Sequence, residues 1–366
     1  MRVLLVGEYS SFHRNLKIGL EKIGVKAVIA GSHDGFKNLP VDILLYRTSD
    51  IFLIKKFLKI YKYFGILINI KKLKKYDVVQ FINPFLFSNK IPYFGLALNK
   101  FFYKTIIKNN TKSFLTCCGS DAILSQIGKF QMEYCSEESQ LIDNPKSRLN
   151  TPSFFHWNIE LIKIINGIIP SAYEYEIGYR RLIGTGDRLS KIIPMPIVIE
   201  DFPYEENIVK GPIKILHGIS RPGFKGTNLI LKALAIIKNR YSDRVDIVIV
   251  KRLPYKDYIT LLKKANIVID QAFSYGYGIN ALIALSLGKV TLGGAEKEAL
   301  SSMGLEDCPV VNIKPDVEDI VNKLTNLINE PSSLQVIGAK SRLFVEKHHE
   351  SSIVAAKYLE VWESYF

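Results

Sequence analysis

Residues 213–329 alternate two kinds of segment, and that alternation constrains the fold more than anything else in the chain. Short apolar runs (Ile213 to Leu216, Val245 to Val250, Ile267 to Ile269, Val290 to Leu292) are separated by helical patterns at Asn228 to Tyr241, Tyr255 to Ala265 and Asn280 to Leu287, with another at Val317 to Asn329. Strands spaced by helices of about ten residues predict a parallel, doubly wound sheet.

The first half carries the same rhythm. Val3 to Val6 reads as a strand, Gly7-Glu8-Tyr9-Ser10-Ser11 as a loop, and the following residues as a helix with Leu16, Leu20 and Ile23 on one face, ended by Gly24. Val25 to Ala30 returns as a strand, completing a βαβ unit. Asp77 to Ile82, Ser113 to Cys117 and Gly167 to Pro170 add strands, with helices at Lys100 to Asn110 and Ile159 to Asn166, while 125–158 reads as polar and irregular, an insertion or an acceptor-side loop. Ser171 to Tyr175 reads as a further edge loop. A chain of 366 residues suits two domains of ordinary size. The expected fold is therefore α/β, with two Rossmann-like doubly wound parallel-sheet domains facing a cleft. The apolar, proline-stiffened Ile192 to Ile197 serves as linker, giving domains 1–195 and 196–350, and a helix over 351–366 crosses back to the first domain.

Lys and Arg total 49 against 35 Asp and Glu, a net +14 that favours anionic partners. Much of it sits at 51–75, where Lys55, Lys56, Lys59, Lys62, Lys71, Lys72, Lys74 and Lys75 alternate with apolar and aromatic residues and no acid. Such a stretch suits the headgroups of an anionic membrane, or equally a helix with one side in the core and lysines in water. No nucleic-acid recognition motif accompanies the charge. No signal peptide and no apolar run of about eighteen residues is read. Cys117, Cys118, Cys135 and Cys308 lack a metal-site or disulfide spacing, which suits reduced thiols in a cytoplasm.

Two stretches carry the chemistry. In Leu216-His217-Gly218-Ile219-Ser220-Arg221-Pro222-Gly223-Phe224-Lys225-Gly226-Thr227, a strand ends near glycine and a loop with two cations feeds a helix that Thr227 can N-cap. Helix starts present unpaired N–H groups and partial positive charge, so this outlines an anion site; the alternative is an ordinary strand-to-helix connection with solvated Arg221 and Lys225. Downstream, a strand ends at Asp270-Gln271, Tyr275-Gly276-Tyr277-Gly278 opens a second helix, and Gly288 closes it. Two such starts in one domain could grip one diphosphate. In the first domain, Ser10, His13, Cys118, Ser120 and Asp121 fall at carboxyl ends of strands, where open α/β sheets bind ligands. A lone His13 near a helix start is more often a surface or capping histidine. Gly7-Glu8-Tyr9-Ser10-Ser11-Phe12 lacks the Gly-x-Gly-x-x-Gly fingerprint of nicotinamide enzymes.

On Arg221, Lys225 and Gly226, and on Gly276, Gly278, Ala284, Gly288 and Lys289, the sequence resembles the two-domain GT-B glycosyltransferases. The likeness is to the retaining family 4-like group that builds bacterial surface polysaccharides. It covers nearly the whole chain and is strongest over 213–294. It implies that Arg221 and Lys225 contact the donor's phosphates, with Gly218, Gly226, Thr227, Gln271, Tyr275, Gly276, Tyr277 and Gly278 around the donor and Ser10, His13, Cys118, Ser120 and Asp121 on the acceptor side. It further implies a nucleotide-sugar substrate, a glycan or lipid-linked acceptor, no cofactor and no metal, and retention assisted by a donor phosphate oxygen. The sequence departs from the group at two positions where glutamates stand eight apart, here Tyr275 and Ile283, and at a first-domain histidine, here Cys118. Asp270, Gln271 and Glu296 are the nearby candidates to supply the missing polar groups. The loss of both glutamates leaves a non-catalytic nucleotide-sugar or glycan-binding relative as the alternative, with a nucleotide-sugar epimerase third.

Overall fold

The computed structural model describes residues 1–33, 39–45, 64–87, 94–136, 147–184, 188–251 and 253–366. The chain divides into two compact units. The first comprises Met1–Ile127, Arg148–Pro196 and Ser351–Phe366, and the second Gly128–Ser147 and Ile197–Glu350. The stretch 128–147, expected in the first domain, thus groups with the second unit, where Tyr134 packs against Tyr275.

The first unit is built on a six-stranded sheet: β1 (Arg2–Val6), β2 (Lys26–Gly31), β3 (Ile43–Leu44), β4 (Val78–Phe81), β5 (Lys112–Cys117) and β6 (Gly167–Pro170), in the order β3-β2-β1-β4-β5-β6. All pairings are parallel. Val3, Leu4, Leu5 and Val6 in β1 are fully buried, as a strand covered on both faces requires. On either side of β1 the strand order runs outward in opposite directions, which makes its carboxyl end a switch point.

The C-terminal helix, Ser351–Glu363, belongs to this unit and packs on the helix Phe12–Lys22. Gly19 permits the approach, since a Cβ there would lie 2.0 Å from the carbonyl oxygen of Ser351. At the far end Trp362 Nε1 donates to Gln80 Oε1 at 2.9 Å, and Gln80 Nε2 donates to Thr116 Oγ1 at 2.7 Å. The chain's end is thereby tied to β4 and β5.

The second unit holds a five-stranded parallel sheet, order β11-β10-β9-β7-β8, formed by β7 (Ile213–Ile219), β8 (Val245–Lys251), β9 (Ile267–Ile269), β10 (Val290–Gly293) and β11 (Val311–Asn312). Ile215, Ile267, Ile269 and Leu292 on the strands meet Ile230, Leu234 and Ile237 of the helix Thr227–Arg240 and Ile320, Leu324 and Ile328 of the helix Val317–Asn329 in one buried cluster. Each such side chain contributes about 1.5–3 kcal/mol on burial, and together they fix where the carboxyl ends of β7 and β9 stand.

Several elements differ from the sequence expectation. The helix expected from Ile159 begins at Pro152, with proline in its first turn, and takes in Phe154 and Trp157, both buried. The loop expected at Ser171 to Tyr175 passes into a helix, Tyr173–Ile183. The two-residue strands β3 and β11 and the helix Ser333–His348 were not anticipated. Of the basic stretch 51–75, residues 51–63 lie outside the described residues. In the remainder Ile66 and Leu73 are buried, whereas Phe64, Leu67 and Ile68 are exposed beside Lys71 and Lys72. No helix among the described residues is long and apolar enough to cross a membrane.

Candidate functional site

After β7 the chain makes a single helical turn, Pro222–Lys225, and reaches Gly226 at φ 70° before the long helix. The left-handed turn suits glycine, and a Cβ at Gly226 would also come within 2.9 Å of the Phe273 ring. Gly226, not Thr227, is therefore the N-cap. The Thr227 hydroxyl instead lies 3.1 Å from Nε2 of His217, whose Nδ1 is 2.9 Å from the carbonyl oxygen of Ile269. Burial lowers the His217 pKa, so the ring is neutral, with Nδ1–H donating to the carbonyl and Nε2 accepting from Thr227. The Thr227 hydroxyl, expected at a donor, is thus engaged inside the unit.

The two loop cations diverge. Arg221 is exposed, its guanidinium 3.7 Å from the centroid of the Phe224 ring. Lys225 is buried, and its Nζ lies 2.6 Å from Oδ1 of Asp270 at the end of β9. Of the two cations expected to meet a diphosphate, Arg221 alone is exposed: β9 ends in a carboxylate beneath the turn, and the Lys225 ammonium pairs with it. Backbone bonding closes the same junction, with Ala272 N–H donating to the Lys225 carbonyl at 3.0 Å.

Asp270 is held from a second side. Asn280 Nδ2 donates to Oδ1 at 2.8 Å, and Tyr258 donates its hydroxyl to Asn280 Oδ1 at 2.8 Å, which fixes the amide's orientation. Burial alone would raise the Asp270 pKa, but the Lys225 charge and the hydrogen bonds from Lys225 and Asn280 outweigh it and hold the carboxyl below its usual value. Gly218 has its explanation here: a Cβ would lie 2.9 Å from the Tyr258 ring. Its missing side chain makes room for Tyr258.

The second helix start is Gly278 followed by Ile279–Ser286. Gly278 is extended (φ −106°), and no side chain caps the helix. The N–H groups of Ile279 and Asn280 have no hydrogen-bond partner among the described residues, which leaves them available to an acceptor. Gln271, buried, donates to the Gly276 carbonyl at 3.4 Å. Tyr277 turns inward, its hydroxyl 3.0 Å from His349 Nε2 and its ring against Phe344, so this expected donor residue belongs to the core.

Tyr275 and Ile283, where the resembled group has glutamates, are 8% and 7% exposed. The Tyr275 hydroxyl accepts from the Glu133 N–H at 2.9 Å, and its ring meets Tyr134 with centroids 4.9 Å apart. Tyr134 donates its hydroxyl to Glu296 Oε1 at 2.5 Å, and Asn312 Nδ2 donates to the same oxygen at 2.9 Å. Glu296 also lines a cavity of about 390 Å³ with Lys297, Glu298 and Asn312.

In the first unit the candidates occupy the loops after β1 and β5. Ser10 and Ser11 adopt φ 53° and 68°, unusual for non-glycine residues and common where loops serve ligands. His13 is fully buried, its Nδ1 2.7 Å from the Gly7 carbonyl oxygen, and burial drives its pKa down to about 4. It braces the loop from beneath, so the reading of an accessible acceptor histidine is corrected. Asp121 is likewise buried. It caps the short helix Ala122–Gln126 by accepting from Leu124 N–H at 2.8 Å and from the Tyr179 hydroxyl at 2.5 Å, while burial raises its pKa to about 6. Cys118 and Ser120 stand part-exposed, their carbonyls accepting from Asn83 Nδ2 at 3.0 and 3.2 Å. Among the described residues no three His, Cys, Asp or Glu side chains are grouped to hold a metal ion.

Asn280, Tyr258 and Tyr134 were not anticipated from sequence. An amide at the start of a helix pattern, and aromatics with no charge partner beside them in the chain, carry no local signal of a contact made across the sheet edge.

Neither family models nor curated protein sequences match the chain. Solved structures do. Sucrose-phosphate synthase from Thermosynechococcus elongatus aligns over 100% of this chain and 99% of its own, with TM-score 0.66 at 12% identity. Anabaena HepE, solved with UDP and glucose, aligns over 100% of both chains at TM-score 0.62 and 10% identity. TarM aligns over 82% of this chain and 58% of its own, at TM-score 0.56 and 13% identity. At these identities the likeness is one of fold: the chain adopts the two-domain GT-B architecture of parallel α/β sheets.

Proposed function

We propose that the protein is a glycosyltransferase that moves a sugar from a nucleotide-diphosphate donor to a glycan or lipid-linked acceptor with retention, in bacterial surface-polysaccharide synthesis. The observation that carries the proposal is the carboxyl edge of the second sheet, where Arg221 stands exposed and the N–H groups opening the Ile279–Ser286 helix are unspent. The full-length alignment with HepE, solved with UDP and with UDP-glucose, supports it. Breaking the sugar–phosphate bond puts negative charge on the departing diphosphate, and a fixed guanidinium and helix start stabilise that charge without a metal ion. The acceptor hydroxyl attacks on the face the phosphate leaves, and a diphosphate oxygen takes its proton. The net change exchanges one sugar–oxygen bond for another. Gly226 shapes the turn that carries Arg221, and the loops holding Ser10, Cys118 and Ser120 are assigned to the acceptor. Exposed Phe64, Leu67 and Ile68 beside Lys71 and Lys72 favour a cytoplasmic protein resting on an anionic membrane face.

The test is release of nucleoside diphosphate from a panel of nucleotide sugars, followed by anomeric analysis of the product. Binding without release or transfer supports the second reading, a nucleotide-sugar or glycan-binding relative without catalysis, which Tyr275 and Ile283 at the glutamate positions favour. Binding of no nucleotide sugar rejects both.

A further inference from the structure

The Lys225–Asp270 pair keeps hydrogen-bonding capacity that no neighbour among the described residues uses. Asp270 Oδ1 receives both Lys225 Nζ and Asn280 Nδ2, whereas Oδ2 accepts nothing among the described residues. A carboxylate offers about four acceptor positions and an ammonium three N–H bonds, and among the described residues Lys225 spends one, on Asp270. The space beside Oδ2 is open toward the second helix start. Among the described residues, a Cβ built on Gly278 would have Oδ2, at 3.9 Å, as its sole neighbour within 4 Å.

A phosphate suits this arrangement poorly, since it brings acceptors and a charge of the same sign as Oδ2. A hydroxyl suits both halves at once, because it donates to the carboxylate and accepts from the ammonium. We propose that Asp270 and Lys225 form a hydroxyl-reading site for a sugar ring of the donor, ribose or the transferred sugar, and that the phosphates fall to Arg221 and the helix start. The proposal rests on the nucleotide-sugar reading above and deepens it. It also supplies the polar group that Tyr275 and Ile283 cannot, from a strand end rather than a helix. Asn280 and Tyr258 are positioning residues: they turn Asp270 so that Oδ1 is consumed and Oδ2 presented.

The test is calorimetric titration of a panel of nucleoside diphosphates and their sugars, UDP and UDP-glucose among them. For whichever binds the wild type, analogues lacking single hydroxyls on the ribose and on the transferred sugar are then compared. Loss of one hydroxyl is expected to weaken wild-type binding on the order of 10- to 100-fold, the ring concerned naming the source. The same deletion should change binding by less than about 3-fold in Asp270→Asn. Because Asp270→Asn leaves Lys225 buried without its partner, the apolar double variant Lys225→Met/Asp270→Leu is titrated alongside, its thermal unfolding reporting that it folds. It too should be indifferent to the missing hydroxyl. An equal penalty in wild type and variants, or no penalty for any hydroxyl in the wild type, overturns the proposal while leaving nucleotide-sugar binding intact. Failure of the wild type to bind any member of the panel overturns the nucleotide-sugar reading itself.

Discussion

Replacing Lys225 by methionine isolates the electrostatics of the second unit. The substitution keeps most of the side-chain volume and removes the ammonium 2.6 Å from a carboxylate that is 3% exposed. Removing one member of a buried pair strands the other and typically costs about 3–5 kcal/mol. For a unit of 150–250 residues each kcal/mol moves Tm by roughly 2–4 °C, so a drop of roughly 6–20 °C follows at pH 7. The pH dependence should change sign. In the wild type the Asp270 pKa lies below its usual value, so its contribution is present above the unfolded-state pKa and is lost as pH falls through the folded one. Without Lys225, burial, the largest influence on this group, is opposed chiefly by the Asn280 hydrogen bond and pushes the pKa up. The cost is then full at neutral pH and shrinks as acid protonates the carboxyl. The assay is thermal unfolding of both proteins at half-unit steps from pH 4 to 8. A Tm within about 1 °C of wild type at pH 7, with parallel pH curves, would refute the claim that Lys225 neutralises a buried charge.

Arg221→Ala should leave Tm unchanged, because the side chain is exposed, and lower kcat/KM for the donor by about 2–4 kcal/mol in transition-state terms, measured by diphosphate release. Gly226→Ala meets both a left-handed φ and the Phe273 ring, and a loss of about 1–3 kcal/mol in chemical denaturation is expected; a neutral outcome would mean the turn relaxes freely. Trp362→Phe keeps an aromatic ring but removes the indole N–H, leaving Gln80 Oε1 without its donor in a buried site at about 1–3 kcal/mol, to which the smaller ring adds lost packing, by the same measurement. His13, with a pKa near 4 when folded, takes up protons more readily unfolded, so stability is full above about pH 6.5 and falls by about 3 kcal/mol as pH drops to 4. His13→Gln should flatten that part of the wild-type profile.

The strands and most helices were legible because parallel sheets bury both faces and write themselves as unbroken apolar runs, as Val3 to Val6 and Ile267 to Ile269 do. β3 and β11, two residues each at sheet edges, are too short to leave a period. The helix beginning at Pro152 was hidden by its own composition, since Phe154 to Trp157 carries two phenylalanines, a histidine and a tryptophan, residues of middling helix propensity that packing makes helical. At the candidate site, spacing located the right loops and the wrong states. Nothing local distinguishes Arg221, which reaches solvent, from Lys225, which meets a carboxylate forty-five positions away across the sheet. Charge type is a property of sequence; whether a charge is already answered is a property of packing.

The helix Ser351–Glu363 has a consequence for how the protein is made. Both segments of the second unit, 128–147 and 197–350, are synthesised before the segment that covers the helix Phe12–Lys22 and anchors Gln80 through Trp362. The first unit synthesised is therefore the last to close, and until then its sheet keeps one apolar flank in water. A nascent chain stalled or clipped just short of residue 351 would hold a finished second lobe attached to a sticky, unfinished first one, the kind of intermediate that chaperones retain.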